Sequence, residues 1–249
     1  MSAGKILIIL SDADSYPVQK PDGSITNQET RFFLTELAKL LQKLLDFGYD
    51  VTFASPIGKR PSVDPLSESL LVYFGNWLQR RRENALIERM KSENNLTNPR
   101  SFTSFTEEEL ESYAGVFIPG GHAPIRDLGD NPELGRIPLH FHQRGKPTAA
   151  ICHGPLALLS TKYALGSPGF AYQGYKLTSW SDAEESLVEK LQGGQIPKVE
   201  STLQAEGADM ISTVGKKAGG ITCDREVVSG ANPMAAEGLG SRFVEMLGA

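Results

Sequence analysis

The sequence predicts an α/β domain built on a mostly parallel central sheet, and three observations carry that prediction. Residues 5–10 (Lys-Ile-Leu-Ile-Ile-Leu) form a continuous apolar, branched run, the pattern of a parallel strand covered on both faces. Apolar residues then recur at helical spacing before a second strand at 49–54, which makes a βαβ unit. Further on, two strands each run into a turn rich in glycine: 113–118 into Pro119-Gly120-Gly121-His122, and 147–151 into Cys152-His153-Gly154-Pro155.

The elements follow in order. After the first strand a polar loop spans 11–26, and a helix is expected over 27–47, with Phe33, Leu37, Leu40, Leu41 and Leu44 on its apolar face and Gly48 closing it. The alternation breaks between 56 and about 106, where Pro61, Pro65 and Pro99 surround a helical segment at 67–92. Tyr73, Phe74, Trp77, Ile87 and Met90 form its apolar stripe, and the stretch reads as an inserted cap or lid over one end of the sheet. Arg80-Arg81-Arg82 point in different directions on a helix and read as a solvated face. A helix from 122 to 144 places His140 and His142 two residues apart, a poor metal pair, both read as surface residues. A last strand and turn, Val227-Val228-Ser-Gly-Ala-Asn-Pro233, precede a helix over 234–247.

Composition narrows the function. The 249 residues, 40% hydrophobic and 22% charged, suit a single domain spanning 1–249. A net charge of −5 implies no strongly basic face, so no nucleic-acid partner is expected. Two cysteines, Cys152 and Cys223, make neither a disulfide framework nor a zinc cluster. Cys223 reads as packing in a late strand. The apolar run at 6–10 is too short for a signal-peptide core or a membrane span, which leaves a cytoplasmic, membrane-free protein as the expectation.

The chemistry centres on Cys152. Thr148-Ala-Ala-Ile151 fits a central strand, and Gly154-Pro155 fits a tight turn into a helix. The cysteine then sits at the C-terminal edge of the sheet, where open α/β sheets bind ligands. The helix N-terminus behind it should favour thiolate. Strand, nucleophile and helix in that order form a nucleophile elbow. A buried structural cysteine is the competing reading; position and turn favour the nucleophile. Gly120 and Gly121 would let backbone N–H groups approach a substrate oxygen.

With these residues in view, the chain resembles the ThiJ/PfpI superfamily, also called class I glutamine amidotransferase-like. The resemblance rests on the opening strand, Glu29, Ile118-Pro-Gly-Gly-His122, Ala150-Ile-Cys-His-Gly-Pro155 and Ser229-Gly-Ala-Asn-Pro233. It implies a three-layer, flavodoxin-like sandwich with helices on both faces. The insertion after the second strand points to the branch of glutathione-independent glyoxalases (glyoxalase III), which also contains reported deglycases and stress chaperones. The resemblance implies that Glu29 is the protonated acid beside the sulfur, and that His153 pairs with an acid after the following strand. Glu185 is that acid by spacing from Trp180, with Asp182 and Glu184 as fallbacks, and His122 is a pocket residue. Some relatives hold a metal through a histidine three residues before the first-helix glutamate. Thr26 stands there, so no metal and no cofactor are expected.

The implied activity is conversion of methylglyoxal or a related 2-oxoaldehyde to D-lactate by a homodimer, with deglycation chemically close. A holdase chaperone or redox sensor is the alternative from another class. Glutamine hydrolysis is disfavoured, because it draws a histidine from late in the chain and all four histidines lie between 122 and 153.

Overall fold

The computed structural model describes residues 3–69, 73, 75–211 and 219–248, and Phe74 of the expected apolar stripe lies outside them. Eleven strands are described: β1 (Gly4–Ile9), β2 (Ser15–Gln19), β3 (Ile25–Glu29), β4 (Tyr49–Ser55), β5 (Arg100–Ser101), β6 (Tyr113–Ile118), β7 (Thr148–Ile151), β8 (Lys176–Leu177), β9 (Asp209–Met210), β10 (Ile221–Asp224) and β11 (Val227–Gly230). The described α-helices are α1 (Leu34–Asp46), α2 (Trp77–Glu93), α3 (Glu107–Glu111), α4 (Pro124–Asp127), α5 (Pro132–Gln143), α6 (Asp182–Gln192), α7 (Val199–Ala205) and α8 (Ala236–Met246).

The central sheet has the order β10-β11-β7-β6-β1-β4-β5, parallel except for the antiparallel β10 at one edge. Its inner strands β1, β6, β7 and β11 are largely apolar because both faces are covered, and successive side chains alternate between two cores. Ile6, Ile8, Phe117, Ala149, Ile151 and Val228 pack toward α1 and α8. Leu7, Ile9, Val116, Ile118, Ala150 and Val227 pack toward α5 and the 3-10 helix Gly154–Tyr163. Helix, sheet and helix therefore form the three layers the sequence predicts. No helix among the described residues is long and apolar enough to cross a membrane.

Two elements differ from the sequence reading. Residues 15–29 form the hairpin β2–β3, so the first helix begins at Leu34 and not at 27. Its turn is Lys20-Pro-Asp-Gly-Ser24, closed by Lys20 N–H donating to Ser24 O and Gly23 N–H donating to Lys20 O, with Gly23 at φ 82°. Pro-Asp-Gly between extended segments is a turn signal in its own right. Helical spacing of apolar residues begins only at Phe33, and Phe32 is the one apolar residue between 27 and 32.

The other difference lies in the insertion. Its α-helix starts at Trp77, which is 61% exposed, while Tyr73, Ile87 and Met90 are buried as expected. The insertion also supplies the edge strand β5, which pairs with β4. It braces the start of α1: Ser67 Oγ accepts Leu34 N–H at 3.1 Å, and Glu83 accepts the Thr35 hydroxyl at 2.7 Å.

His140 and His142 are not plain surface residues either. The buried His140 meets Glu107 at 2.6 Å, and His142 meets Glu226 at 2.8 Å. Cys223 is exposed on the edge strand β10, where its sulfur meets Met246 and Arg242 at the end of α8, and it is not a packed core residue.

Candidate active site

Cys152 follows β7 with φ 61°, a left-handed conformation that a residue with a Cβ adopts at a cost of about 1–3 kcal/mol. The end of β11 and the segment following β8 hold it there. Its N–H donates to Gly230 O, and its carbonyl accepts Trp180 N–H, each at 2.9 Å. The turn is tight enough to require glycine at two flanking positions. A Cβ on Gly154 would lie 2.3 Å from Ile118 O. One on Gly120 would lie 2.6 Å from the Cys152 Cβ and 2.7 Å from Glu36 Oε2. These contacts bring the ends of β6 and β7 together around the sulfur.

The acid beside Cys152 is Glu36, not Glu29. Glu29 ends β3 with its carboxylate 60% exposed and paired with Arg31 at 2.8 Å. Glu36 lies in the first turn of α1, is fully buried, and accepts Gly120 N–H at 2.9 Å through Oε2. Burial pushes its carboxyl up to about 8, against the lowering effect of hydrogen bonds from Cys152 and Gly120. It is therefore a neutral acid at physiological pH. The two glutamates are seven residues apart, so a helix running from 27 would have put both on one face. Starting the helix at Leu34 leaves only Glu36 there. Three residues before Glu36 stands Phe33, which is no more a metal ligand than Thr26.

On its other side the sulfur meets His153. Cys152 Sγ lies 3.2 Å from His153 Nδ1, and His153 Nε2 lies 2.8 Å from Glu185 Oε2. Cys152, His153 and Glu185 thus stand in line, all buried. Burial opposes ionisation of Glu185, but hydrogen bonds from His122 and His153 outweigh it and hold the carboxyl down at about 2. Being a carboxylate, Glu185 accepts the Nε2 proton of His153 and leaves the Nδ1 lone pair facing the sulfur. Burial, reinforced by the neighbouring His122, lowers His153 to about 4, so the ring is a neutral base.

The cysteine itself differs from the sequence expectation. Burial, with Glu36 next, pushes the thiol well above its usual range, while the backbone N–H groups of Gly121 and His153 pull the other way. The following segment is a 3-10 helix rather than an α-helix, and its N-terminus does not offset burial. The resting group is a thiol poised between a neutral acid and a neutral base.

His122 is also drawn in. It donates through Nε2 to Glu185 Oε1 at 3.0 Å, stacks on Tyr16 at 4.6 Å, and sits 4.2 Å from the His153 ring. Trp180 stacks on the opposite side of His153 at 5.6 Å. Gly121, at φ 97°, packs so closely that a Cβ would lie 2.2 Å from Arg31 O.

The fallback acids serve the fold. Glu184 closes a capping box with Ser181 and also accepts from Asn232, and Asp182 accepts Ser201 N–H. The Ser-x-x-Glu signature at 181–184 already assigns Glu184 to the helix start. Among the described residues, His122, His153 and Glu185 form the one group that could hold a metal ion.

Comparison with known proteins identifies the family and the fold. The DJ-1/PfpI family profile matches residues 89–246. The chain is 26% identical over 225 residues to the protein/nucleic acid deglycase HchA of Staphylococcus aureus, covering 86% of this chain and 71% of that protein. It is 36% identical over 85 residues to an uncharacterized protein of Archaeoglobus fulgidus, a match that spans 34% of this chain and 45% of the relative. Among solved structures, glyoxalase III of Candida albicans superposes with a TM-score of 0.75 at 21% identity, covering 98% of this chain and 97% of that one. The 24 kDa rapid encystment protein of Francisella tularensis gives 0.78 at 19% identity, covering 98% and 99%. At these identities the two structures speak to the fold alone.

Proposed function

The chain belongs to the DJ-1/PfpI family, and we propose on that premise that it is a glutathione-independent glyoxalase converting methylglyoxal to D-lactate. The observation that carries this reading is the setting of one thiol between a protonated carboxyl, Glu36, and a neutral imidazole, His153. Isomerising a 2-oxoaldehyde requires a nucleophile together with an acid and a base that can exchange protons between adjacent carbons.

The steps balance without a cofactor. His153 Nδ1 takes the thiol proton as Sγ adds to the aldehyde carbon, then returns it to the new oxygen, giving a hemithioacetal. His153 next removes the proton from that carbon while Glu36 gives its proton to the neighbouring carbonyl oxygen, which produces an enediol. Protonated His153 delivers its proton to the second carbon, and Glu36 recovers one from the hydroxyl on the first. The product is a lactoyl thioester. Water, deprotonated by His153, hydrolyses the thioester, and the same proton restores the thiol. The Gly121 N–H, already directed at the sulfur, is placed to stabilise developing negative charge.

Cys152 is only 4% exposed, which favours a small aldehyde over a large glycated side chain. Deglycation, the activity in the name of the Staphylococcus relative, would use the same hemithioacetal chemistry on an amine adduct. The test is D-lactate formation from methylglyoxal without glutathione. Wild-type protein should turn over, and Cys152→Ser should lose activity by at least about a thousandfold, the scale seen when a nucleophile is removed. A wild-type protein producing no lactate overturns the reading.

A further inference from the structure

The proton relay uses one edge of His153, and the opposite edge belongs to a second constellation. Glu185 receives two imidazoles at once, His153 Nε2 on Oε2 and His122 Nε2 on Oε1, at 2.8 and 3.0 Å. The three ligand-capable atoms lie within 4.8 Å of one another. Both rings stack on a neighbour, His122 on Tyr16 and His153 on Trp180, with their Nε2 atoms against the two oxygens of one carboxylate. Two imidazole nitrogens and a carboxylate are a donor set suited to zinc and similar divalent transition ions, with further positions open to water. His122 is 20% exposed while His153 and Glu185 are 1% exposed, so an ion would arrive from the His122 side.

We infer that His122, Glu185 and His153 form a binding site for one divalent transition-metal ion of the zinc class, and that the bound ion blocks the basic edge of His153. The inference rests on this geometry and not on the identity of the substrate. The consequence for His153 follows from its two nitrogens. Coordination at Nε2 requires a lone pair there, so the ring's single proton moves to Nδ1. Nδ1 faces Cys152 Sγ at 3.2 Å. A ring that accepted the thiol proton in the metal-free protein would donate a hydrogen bond to sulfur in the metal-bound one. His122 shifts its proton in the same way, so the rings neither gain nor lose protons. The ion stands on the far side of His153 from the sulfur and does not need Cys152 as a ligand.

The full chain, stripped of metal by a chelator, would be titrated with Zn²⁺ by calorimetry and with Co²⁺ by visible absorption. One ion per chain is expected, and the cobalt spectrum should lack a thiolate-to-cobalt charge-transfer band. His122→Ala and Glu185→Gln should each weaken binding by more than about tenfold, on the scale of losing a metal-site group. Cys152→Ser should bind within about twofold of wild type. Circular dichroism and the unfolding midpoint separate loss of a ligand from loss of the fold, and His122, at the accessible edge, is the variant least exposed to that ambiguity. Absence of saturable binding, binding that survives His122→Ala in a folded protein, or binding abolished by Cys152→Ser would each overturn the inference. None of these readouts depends on turnover, so a protein inactive toward methylglyoxal would still test it.

Discussion

Glu36→Gln isolates the neutral acid and makes a prediction about stability as well as activity. Folding raises the Glu36 carboxyl from 4.5 to about 8, with burial as the main cause. A carboxyl raised on folding stabilises the native state fully below its unfolded value, and this contribution is lost as pH rises through the folded value. From about pH 5 to about pH 8 the unfolded chain is ionised at this position while the native state keeps its proton. Each pH unit in that window removes roughly 1.4 kcal/mol of stability, so the wild type should lose about 3–4 kcal/mol from this group alone. Glutamine is neutral throughout, and its amide oxygen can accept Gly120 N–H where Oε2 does now. The stability of Glu36→Gln relative to wild type should therefore rise across the window by about 3–4 kcal/mol, because titrations shared by both proteins cancel in the difference. Urea unfolding of both proteins at half-unit pH steps measures it. Turnover should fall at least about a hundredfold in the same variant, the scale of a lost proton-transfer group. A stability difference that stays flat from about pH 5 to about pH 8 would mean that Glu36 is ionised in the native protein, and the acid role assigned to it would be refuted.

Three further outcomes follow from the same geometry. Glu29→Gln should leave turnover within about twofold of wild type, because the Glu29 carboxylate is exposed and paired with Arg31; a large loss in a steady-state assay would restore Glu29 to the site. Gly120→Ala should destabilise by about 1–3 kcal/mol through overpacking and abolish turnover, since its Cβ would lie 2.6 Å from that of Cys152; denaturant unfolding beside the lactate assay reads both effects. The profile of kcat/KM against pH should fall on the acid side as His153 protonates near about 4 and on the alkaline side as Glu36 loses its proton near about 8. A profile that keeps rising above about pH 9 would contradict a neutral Glu36.

The parts of the site that the sequence makes legible are those encoded within a few residues. The strand at 148–151, the Gly154-Pro155 turn and the adjacent His153 place a cysteine on an elbow without reference to the rest of the chain. The capping box at 181–184 occupies Glu184 and leaves Glu185, one position on, to turn inward. The alternation of β1 side chains between two cores follows from its unbroken apolar run. What local pattern conceals is which of two glutamates reaches the sulfur. Glu29 and Glu36 both precede or open the first helix, and their separation is two helical turns, so a misplaced helix start gives the same face with the wrong residue. The choice is made elsewhere. Pro21-Asp22-Gly23 turns 15–29 into a hairpin, and Ser67 and Glu83 from the insertion take up Leu34 N–H and the Thr35 hydroxyl. These contacts fix the first turn of α1 against the Gly120 turn, and only a residue in that turn can receive Gly120 N–H. The identity of the acid is thus a property of the helix's register, set by the hairpin turn that precedes the helix and by insertion residues that follow it.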